Sequence, residues 1–231
     1  WGLRRDAPTK HGTVGTNSVD LSYSNNVGNY GATGSGSFAT GTTTQASGST
    51  STALGGNTIA SGSYSFAAGT ACTASGQHST AFGSDNKALG TGSFVVGRYD
   101  SAQAQYSSVI SYSSDSYGAF SSIIGGNSNR IKTGSDYTSI VSGNGNTINA
   151  NLDYSVIIGG NGITATEAST VYVPNLISVG RIMIGTYGTA ASAANVGSLR
   201  YRSDANNSWL EMSMQTGAST YAWVVIKTNT W

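Results

Sequence analysis

Two carboxylates recur at matched positions in the chain, because Asp136 and Asp153 stand seventeen residues apart and each immediately precedes a tyrosine. A convergent pair of carboxylates can supply acid and base catalysis on a glycoside, or bind a cation or a sugar. Aspartates in turns are more often solvated residues that organise the backbone. The repeat-bearing part of the chain holds few other acidic residues. We therefore predict turn residues here, with no catalytic residue, no cofactor and no metal.

A nucleophilic mechanism centred on His78 is also unsupported. His78 precedes Ser79, but the equivalent positions in neighbouring repeats are Tyr64 and Gly92, and no orienting acid or oxyanion hole is recognisable. The other histidine, His11, lies outside the repeats, and two isolated histidines do not make a transition-metal site. The chain is therefore predicted not to be an enzyme.

Aromatic residues are stronger candidates for a functional role, namely binding a ligand at the protein surface. Exposed rings with polar tips can stack on sugar rings or anchor an interface, although a ladder of stacked rings is the competing interpretation for the tyrosines of the repeats. A cluster near the end of the chain could form an exposed tip. The candidate receptor-binding residues are Tyr137, Tyr154 and Tyr172 in the repeats and Trp209, Tyr221 and Trp223 near the end.

These residues are positioned by a short phrase that recurs every fourteen residues. "SFATG", "STALG", "SFAAG", "STAFG" and "SFVVG" begin at Ser37, Ser51, Ser65, Ser79 and Ser93. A second phrase such as "ASG" precedes each one, so every unit contains two short extended pieces separated by turns of small residues. Fourteen residues cannot bury a core alone, and we therefore expect the units to stack as the coils of a solenoid.

The third position of each phrase is predicted to face the core. The series continues past the obvious phrases, through units that lengthen to seventeen residues after Ser121 and return to fourteen at Ser169. The predicted inner residues are Ala39, Ala53, Ala67, Ala81, Val95, Val109, Ile123, Ile140, Ile157 and Val171. The predicted fold is all-β, a parallel β-solenoid with coils of fourteen and then seventeen residues, followed by three antiparallel strands at the C-terminal end. Asn127, Asn144 and Asn161 also align and are expected to form a ladder of side-chain amides.

An inner column of alanines buries little apolar area. Its burial therefore offsets only a small part of the conformational entropy that the backbone loses on folding. The adjacent outward position carries apolar residues at Leu54, Phe82, Val96, Ile110 and Ile124. An outward apolar stripe on a solenoid is typical of a self-association surface. These five residues are therefore the candidates for a trimer interface.

Composition excludes several classes of function. Only 9% of the residues are charged, the formal net charge is +1, and the basic residues are scattered, so no nucleic-acid partner is expected. No apolar run is long enough to cross a bilayer, so membrane insertion is not expected. The single cysteine, Cys72, shares a variable repeat position with Thr58 and Asn86 and is interpreted as an incidental turn residue. The chain begins at Trp1 without an initiator methionine, so we expect a piece of a longer protein.

The Ser-x-Ala-x-Gly phrase and its fourteen-residue step resemble the YadA-type head repeats of trimeric autotransporter adhesins. The resemblance implies a parallel β-roll in each chain and three chains packed around an axis. The whole order of segments resembles the distal part of a phage tail fibre. The expected domains are a connector at 1–31, head repeats at 32–101, wider solenoid repeats at 102–173 and a C-terminal tip at 174–231.

The sequence thus favours a homotrimeric fibre protein that attaches to a host cell by binding a surface glycan or an envelope protein. The preferred setting is the tail fibre of a phage or phage-like particle, joined to an upstream fibre or baseplate protein. A bacterial surface adhesin on the cell surface is one alternative. A polysaccharide depolymerase tailspike is another, and the sparse carboxylates argue against it.

Overall fold

The computed structural model describes residues 12–24, 28, 30–174, 199–203 and 207–230. The chain divides into two compact units, residues 1–175 and residues 176–231. The described residues contain strands and turns but no helix, which confirms the predicted all-β class. In that part of the chain there is accordingly no helical segment that could span a membrane.

The described residues of the first unit form twenty-one short strands. In chain order they are β1 (Val19–Tyr23), β2 (Gly31–Ala32), β3 (Phe38–Thr42), β4 (Gln45–Ala46), β5 (Thr52–Gly56), β6 (Ile59–Ala60), β7 (Phe66–Thr70), β8 (Thr73–Ala74), β9 (Thr80–Ser84), β10 (Lys87–Ala88), β11 (Phe94–Arg98), β12 (Ser101–Ala102), β13 (Ser108–Tyr112), β14 (Asp115–Ser116), β15 (Ser122–Asn127), β16 (Arg130–Ile131), β17 (Ser139–Val141), β18 (Thr147–Ile148), β19 (Val156–Ile158), β20 (Thr164–Ala165) and β21 (Val171–Tyr172).

Each coil contributes one strand to each of two parallel sheets. The odd-numbered strands form an eleven-stranded sheet, here called the long-strand sheet, and the even-numbered strands form a ten-stranded sheet, here called the short-strand sheet. Neighbouring strands in both sheets come from successive coils, so like residues stand above like. The predicted parallel β-solenoid is confirmed.

The repeated small residues let the coils close tightly. Ala39, Ala53 and Ala60 have no solvent-exposed surface, and they belong to one continuous apolar core. A Cβ added at Gly34 would collide with the carbonyl oxygen of Gly48 in the next coil, so that position requires glycine. The inner column widens from alanine through valine to Ile123, Ile140 and Ile157, as predicted, and all three isoleucines are fully buried.

The serine that begins each phrase stabilises the turn before its strand through a side-chain hydrogen bond. Ser51 Oγ donates a hydrogen bond to the carbonyl oxygen of Gly48 at 2.7 Å, and Ser79 Oγ does the same to Gly76 at 2.7 Å. The residues just before them, Thr50 and His78, have positive φ angles of 54° and 57°. The hydroxyl therefore secures a left-handed turn, which explains why serine recurs there.

The seventeen-residue coils also form as expected. Ser122 pairs with Ser139, and Ser139 pairs with Val156, each seventeen residues further on. Asn144 Nδ2 donates to Asn161 Oδ1 at 3.3 Å, and backbone bridges join Asn127, Asn144 and Asn161 in series. The amide ladder predicted at these turns is thus present between Asn144 and Asn161.

A buried polar column lies at one corner of the coils. It consists of Thr44, Thr58, Cys72, Asn86, Asp100, Ser114, Asn129 and Asn146, all of them buried. We call this column the polar spine. Cys72 does lie at the corner between β7 and β8, as the predicted turn position requires, but its side chain packs in the core, and burial raises the pKa of its thiol.

Two ends of the solenoid differ from the expectation. The solenoid begins earlier than residue 32, since β1 lies inside the segment expected to be a connector and pairs with β3. Its inner position is a polar residue, Asp20, whose Oδ1 accepts hydrogen bonds from the backbone and hydroxyl of Ser22. This coil does not follow the repeat, because it has an aspartate in place of the usual alanine and a step of nineteen residues to Ala39.

At the other end, the inner residue of the last coil is Tyr172, which pairs with Ile157. The expectation that Val171 faces the core is wrong, because Val171 pairs with Val156 and is exposed. The last step is therefore fifteen residues in the sheet, one more than predicted. The extra residue reverses which side chains face inward.

The second unit contains an antiparallel sheet of three strands, as predicted. They are β22 (Leu199–Ser203), β23 (Asn207–Gly217) and β24 (Thr220–Thr230), arranged in that order. β23 and β24 form a hairpin with two register shifts, one between Leu210 and Glu211 and one between Gln215 and Gly217.

Candidate interaction surfaces

The outward face of the long-strand sheet carries the apolar column predicted from the sequence. Thr40, Leu54, Ala68, Phe82, Val96, Ile110 and Ile124 stand in register on successive strands. Phe82, Ile110 and Ile124 are 52, 40 and 49% exposed, whereas Leu54 and Val96 are half-buried. The column continues beyond the predicted residues to Val141 and Ile158, both exposed. We call it the first apolar column.

A second apolar column runs parallel to the first, two residues earlier on each strand. It contains Phe38, Phe66 and Phe94, which alternate with Thr52 and Thr80 in the register of the sheet. Residues two apart on a strand share a face, so both columns lie on the same side of the sheet. This column was not predicted, although the phrases "SFATG", "SFAAG" and "SFVVG" contain its phenylalanines.

A ladder of stacked rings flanks these columns at the turns before the strands. Tyr106, Phe120, Tyr137 and Tyr154 stack in series, with centroids 5.2, 5.0 and 5.3 Å apart and planes within 19° of parallel. We call this series the aromatic ladder. Because each ring covers a face of its neighbour, the ladder exposes mainly ring edges, whereas sugar stacking requires ring faces. The geometry therefore favours the ladder interpretation of Tyr137 and Tyr154.

The ladder residues occupy strained backbone positions. Tyr106, Phe120, Tyr137 and Tyr154 have φ angles of 52°, 52°, 57° and 58°, in the left-handed region that bulky residues rarely adopt. His78 has the same conformation and stacks on Tyr64 at 5.0 Å. Its ring thus has a packing partner.

Tyr172 does not belong to the aromatic ladder. It packs against the apolar core at the end of the solenoid, and its hydroxyl accepts hydrogen bonds from the backbone N–H groups of Thr166 and Glu167 at 2.9 and 2.8 Å. Of the three candidate tyrosines in the repeats, the structure brings together Tyr137 and Tyr154 and places Tyr172 elsewhere.

The three aromatic candidates of the C-terminal hairpin share one face. Trp223 pairs with Ser213, and Tyr221 pairs with Gln215. Trp209 lies on the same face of β23 as Ser213, since the two positions are four residues apart on one strand. All three rings are half-buried, and Glu211, between Trp209 and Ser213, is 3% exposed. This face of the hairpin thus carries three half-buried aromatic rings beside a buried carboxyl group.

The acidic pair in the wide coils organises turns. Asp136 Oδ1 accepts a hydrogen bond from the backbone N–H of Ala119 at 2.8 Å, and Asp153 Oδ1 accepts one from the backbone N–H of Asp136 at 2.9 Å. Each carboxylate thus caps the turn of the preceding coil. Across the described residues, no cluster of three or more histidine, cysteine, aspartate or glutamate side chains could hold a metal.

Part of the solenoid is similar to a known family of repeats. Segments 32–58, 46–71 and 74–99 match the family model described as the YadA head domain repeat (2 copies). No curated protein matches the chain significantly. The matched segments contain the five phrases from "SFATG" to "SFVVG", whose inner residues are alanine in the first four and valine in the fifth. Residues 32–99 of this chain are therefore similar to the YadA head domain repeat.

Proposed function

We propose that this chain forms a homotrimeric fibre segment that attaches a particle or cell to a host surface, binding a glycan or another envelope receptor without catalysis. The observation that carries the proposal is the outward face of the long-strand sheet. Two parallel columns of apolar side chains there, including Phe82, Phe94 and Ile110, are exposed in the single chain. Exposed apolar patches of this extent mark association sites in soluble proteins.

The YadA head repeats support both the assembly and its location. Chains with such repeats pack in threes in trimeric autotransporter adhesins, and the two apolar columns run along the solenoid axis where a three-fold contact would need them. The repeats also support an extracellular, adhesin-type protein. The fibre of a phage or phage-like particle, joined to an upstream fibre or baseplate protein, is the setting we favour, and a bacterial surface adhesin is the second.

The roles of the acidic residues support binding over cleavage. A glycoside hydrolase needs two carboxyl groups facing a common substrate across a cleft. Asp136 and Asp153 instead accept hydrogen bonds from turn N–H groups, and Asp100 is buried in the polar spine. We accordingly propose a binder, in which three copies would combine weak individual contacts into useful avidity.

Polysaccharide retention tests this function. The chain, immobilised, is exposed to a panel of bacterial lipopolysaccharides and capsular polysaccharides, and the size of each polysaccharide is measured afterwards. We expect retention of at least one polysaccharide with unchanged length. Shortened polysaccharide or released oligosaccharides would contradict the non-catalytic part of the proposal, and no retention of any would contradict glycan attachment.

A pair of variants tests the contribution of the hairpin. Trp223→Ala removes a ring from the aromatic face, and Val224→Ala removes a side chain from the opposite face of the same strand. If the aromatic face binds, retention falls in the first variant and persists in the second. Equal retention by both variants would exclude Trp223 from the receptor contact.

A further inference from the structure

The two apolar columns of the long-strand sheet compensate each other in size. Each long strand places one outward side chain in each column, and we call such a pair a level. Where the second column has phenylalanine, the first has a smaller residue, and where the second column has threonine or serine, the first has a larger one. The eight levels from β3 to β17 are Phe38 with Thr40, Thr52 with Leu54, Phe66 with Ala68, Thr80 with Phe82, Phe94 with Val96, Ser108 with Ile110, Ser122 with Ile124 and Ser139 with Val141.

Packing within one chain does not account for this compensation. Phe82 and Phe94 are 52 and 40% exposed in the single chain, so the smaller residue on the same strand leaves much of each ring uncovered. The first column is also uneven in height, because Ala68 stands between Leu54 and Phe82 on the adjoining strands. An uneven apolar surface is buried at the density of a protein interior only against a surface of matching shape.

Contact of the first column with itself would not provide that match. Neighbouring strands lie roughly 4.8 Å apart. Three copies of the first column around one axis would therefore bring three Phe82 rings together, with three Ala68 methyl groups only one strand away. Such a contact would be overfilled at one level and hollow at the next, and both defects weaken packing.

We propose that the first apolar column of each chain packs against the second apolar column of the next chain, with each level facing the same level; this rests on the proposed homotrimer. Phe82 of one chain then meets the smaller Thr80 of the next. At the preceding level, Ala68 of one chain meets Phe66 of the next. The contact joins two different columns, so it is heterologous, and it forms a closed ring when three copies meet. A shift of one coil would set Phe82 against Phe66 or Phe94, so the pairing also fixes the relative height of the chains.

Exchange of the two residues of one level tests this pairing. Thr80→Phe alone sets two rings against each other across the contact, and Phe82→Thr alone leaves a void. Each single variant should require a concentration about tenfold higher than the unaltered chain to assemble. The double variant restores one large and one small residue to the contact and should assemble within about threefold of the unaltered chain. A double variant that assembles no better than the single variants would overturn the pairing, and so would a Thr80→Phe variant that assembles like the unaltered chain.

Cysteine variants distinguish this contact from a contact between like columns. Chains with Ile110→Cys, chains with Ser108→Cys and a mixture of the two, with a tag on one of them, are treated with a short thiol-specific crosslinker. We expect the mixed product to exceed the product from Ile110→Cys chains alone. The unaltered chain is the control, because its own cysteine, Cys72, is buried. A lack of mixed product in an assembled trimer would overturn the proposal, whether or not Ile110→Cys chains crosslink to one another.

The mass of the assembly separates the failure of this pairing from the failure of the proposed function. If the unaltered chain is a trimer but the exchange of Thr80 and Phe82 does not restore assembly, the homotrimer stands and the pairing fails. If the unaltered chain remains a single chain in light scattering, the homotrimer fails and the pairing fails with it. Glycan attachment is measured separately by polysaccharide retention, so its failure leaves the pairing intact.

Discussion

Asn129 Oδ1 accepts a hydrogen bond from the backbone N–H of Asn146, in the next coil, at 3.0 Å. The relationship repeats along the polar spine: Asn86 Oδ1 accepts from the N–H of Asp100 at 3.0 Å, and Asp100 Oδ1 accepts from the N–H of Ser114 at 2.9 Å. The spine thus joins successive coils through side chains as well as through the sheets. Asp100 is the one carboxyl group within this column.

The first prediction concerns the pH dependence of stability. Burial raises the pKa of the Asp100 carboxyl above its ordinary value of 3.8, despite hydrogen bonds from Ser114 and Ser111. An acid whose pKa is raised on folding contributes stability that is complete below its ordinary pKa and is lost as the pH rises through the raised value. The Asp100→Asn variant has no such loss. The free energy of unfolding of the variant should therefore increase relative to that of the unaltered chain as the pH rises.

Denaturant unfolding of both proteins between about pH 3 and about pH 7 measures this difference. Asp115→Asn is a suitable control, because Asp115 is partly exposed and paired with Arg130. Parallel pH profiles for Asp100→Asn and the unaltered chain would contradict the assignment of Asp100 to a buried, desolvated position.

The second prediction uses the two widths of the core. Ile140→Ala leaves a cavity in a wide coil and should lower the free energy of unfolding by about 2–5 kcal/mol. Ala53→Ile overfills a narrow coil and should lower it by about 1–3 kcal/mol. Both substitutions are thus destabilising although their volume changes have opposite signs. If Ala53→Ile leaves the free energy of unfolding unchanged, the alanine coils have room for a larger side chain and are not tightly packed.

The third prediction concerns the strain in the aromatic ladder. Tyr137→Ala removes the stacks on Phe120 and Tyr154, each worth about 0.5–1.5 kcal/mol. Tyr137→Gly removes the same stacks but relieves the left-handed backbone, which costs a residue with a Cβ about 1–2 kcal/mol. The glycine variant should therefore be the more stable of the two in thermal or denaturant unfolding.

Ser139, two residues later in β17, is the control position for comparing glycine with alanine, because its φ is not positive. There glycine should be less stable than alanine by about 0.5–1 kcal/mol. If glycine is the less stable substitution at both positions, the ladder residue is not held in the strained conformation.

The repeat itself made most of the solenoid predictable. A strict step with Ser, Ala and Gly at fixed places determines which side chains face inward, and Ala39 to Ile157 all occupy the predicted column. The prediction failed at the two ends of the solenoid. The first coil has Asp20 in place of alanine and a step of nineteen residues to Ala39, and one extra residue in the last step moved Tyr172 to the inner position.

The surfaces were harder to predict, because they depend on neighbours from several coils. The polar spine includes Thr58, Cys72 and Asn86, whose differing types suggested a variable turn, although the position is buried. The second apolar column was overlooked because threonine alternates with phenylalanine along it.

The fourth prediction tests the association surface. Phe82→Thr combined with Ile110→Thr replaces two exposed side chains of the first apolar column with polar ones. The double variant should dissociate at concentrations where the unaltered chain remains assembled. Ile59→Thr, on the outward face of the short-strand sheet, makes a comparable change on the opposite side and should leave assembly unchanged. If Ile59→Thr dissociates the assembly and the double variant does not, the interface lies on the short-strand sheet, which contradicts the prediction.

The mass of the assembled particle tests the central claim most directly. Light scattering after size exclusion of the unaltered chain should give three times the chain mass of 23.5 kDa. A particle of one or two chain masses at the same concentration would contradict the homotrimeric fibre.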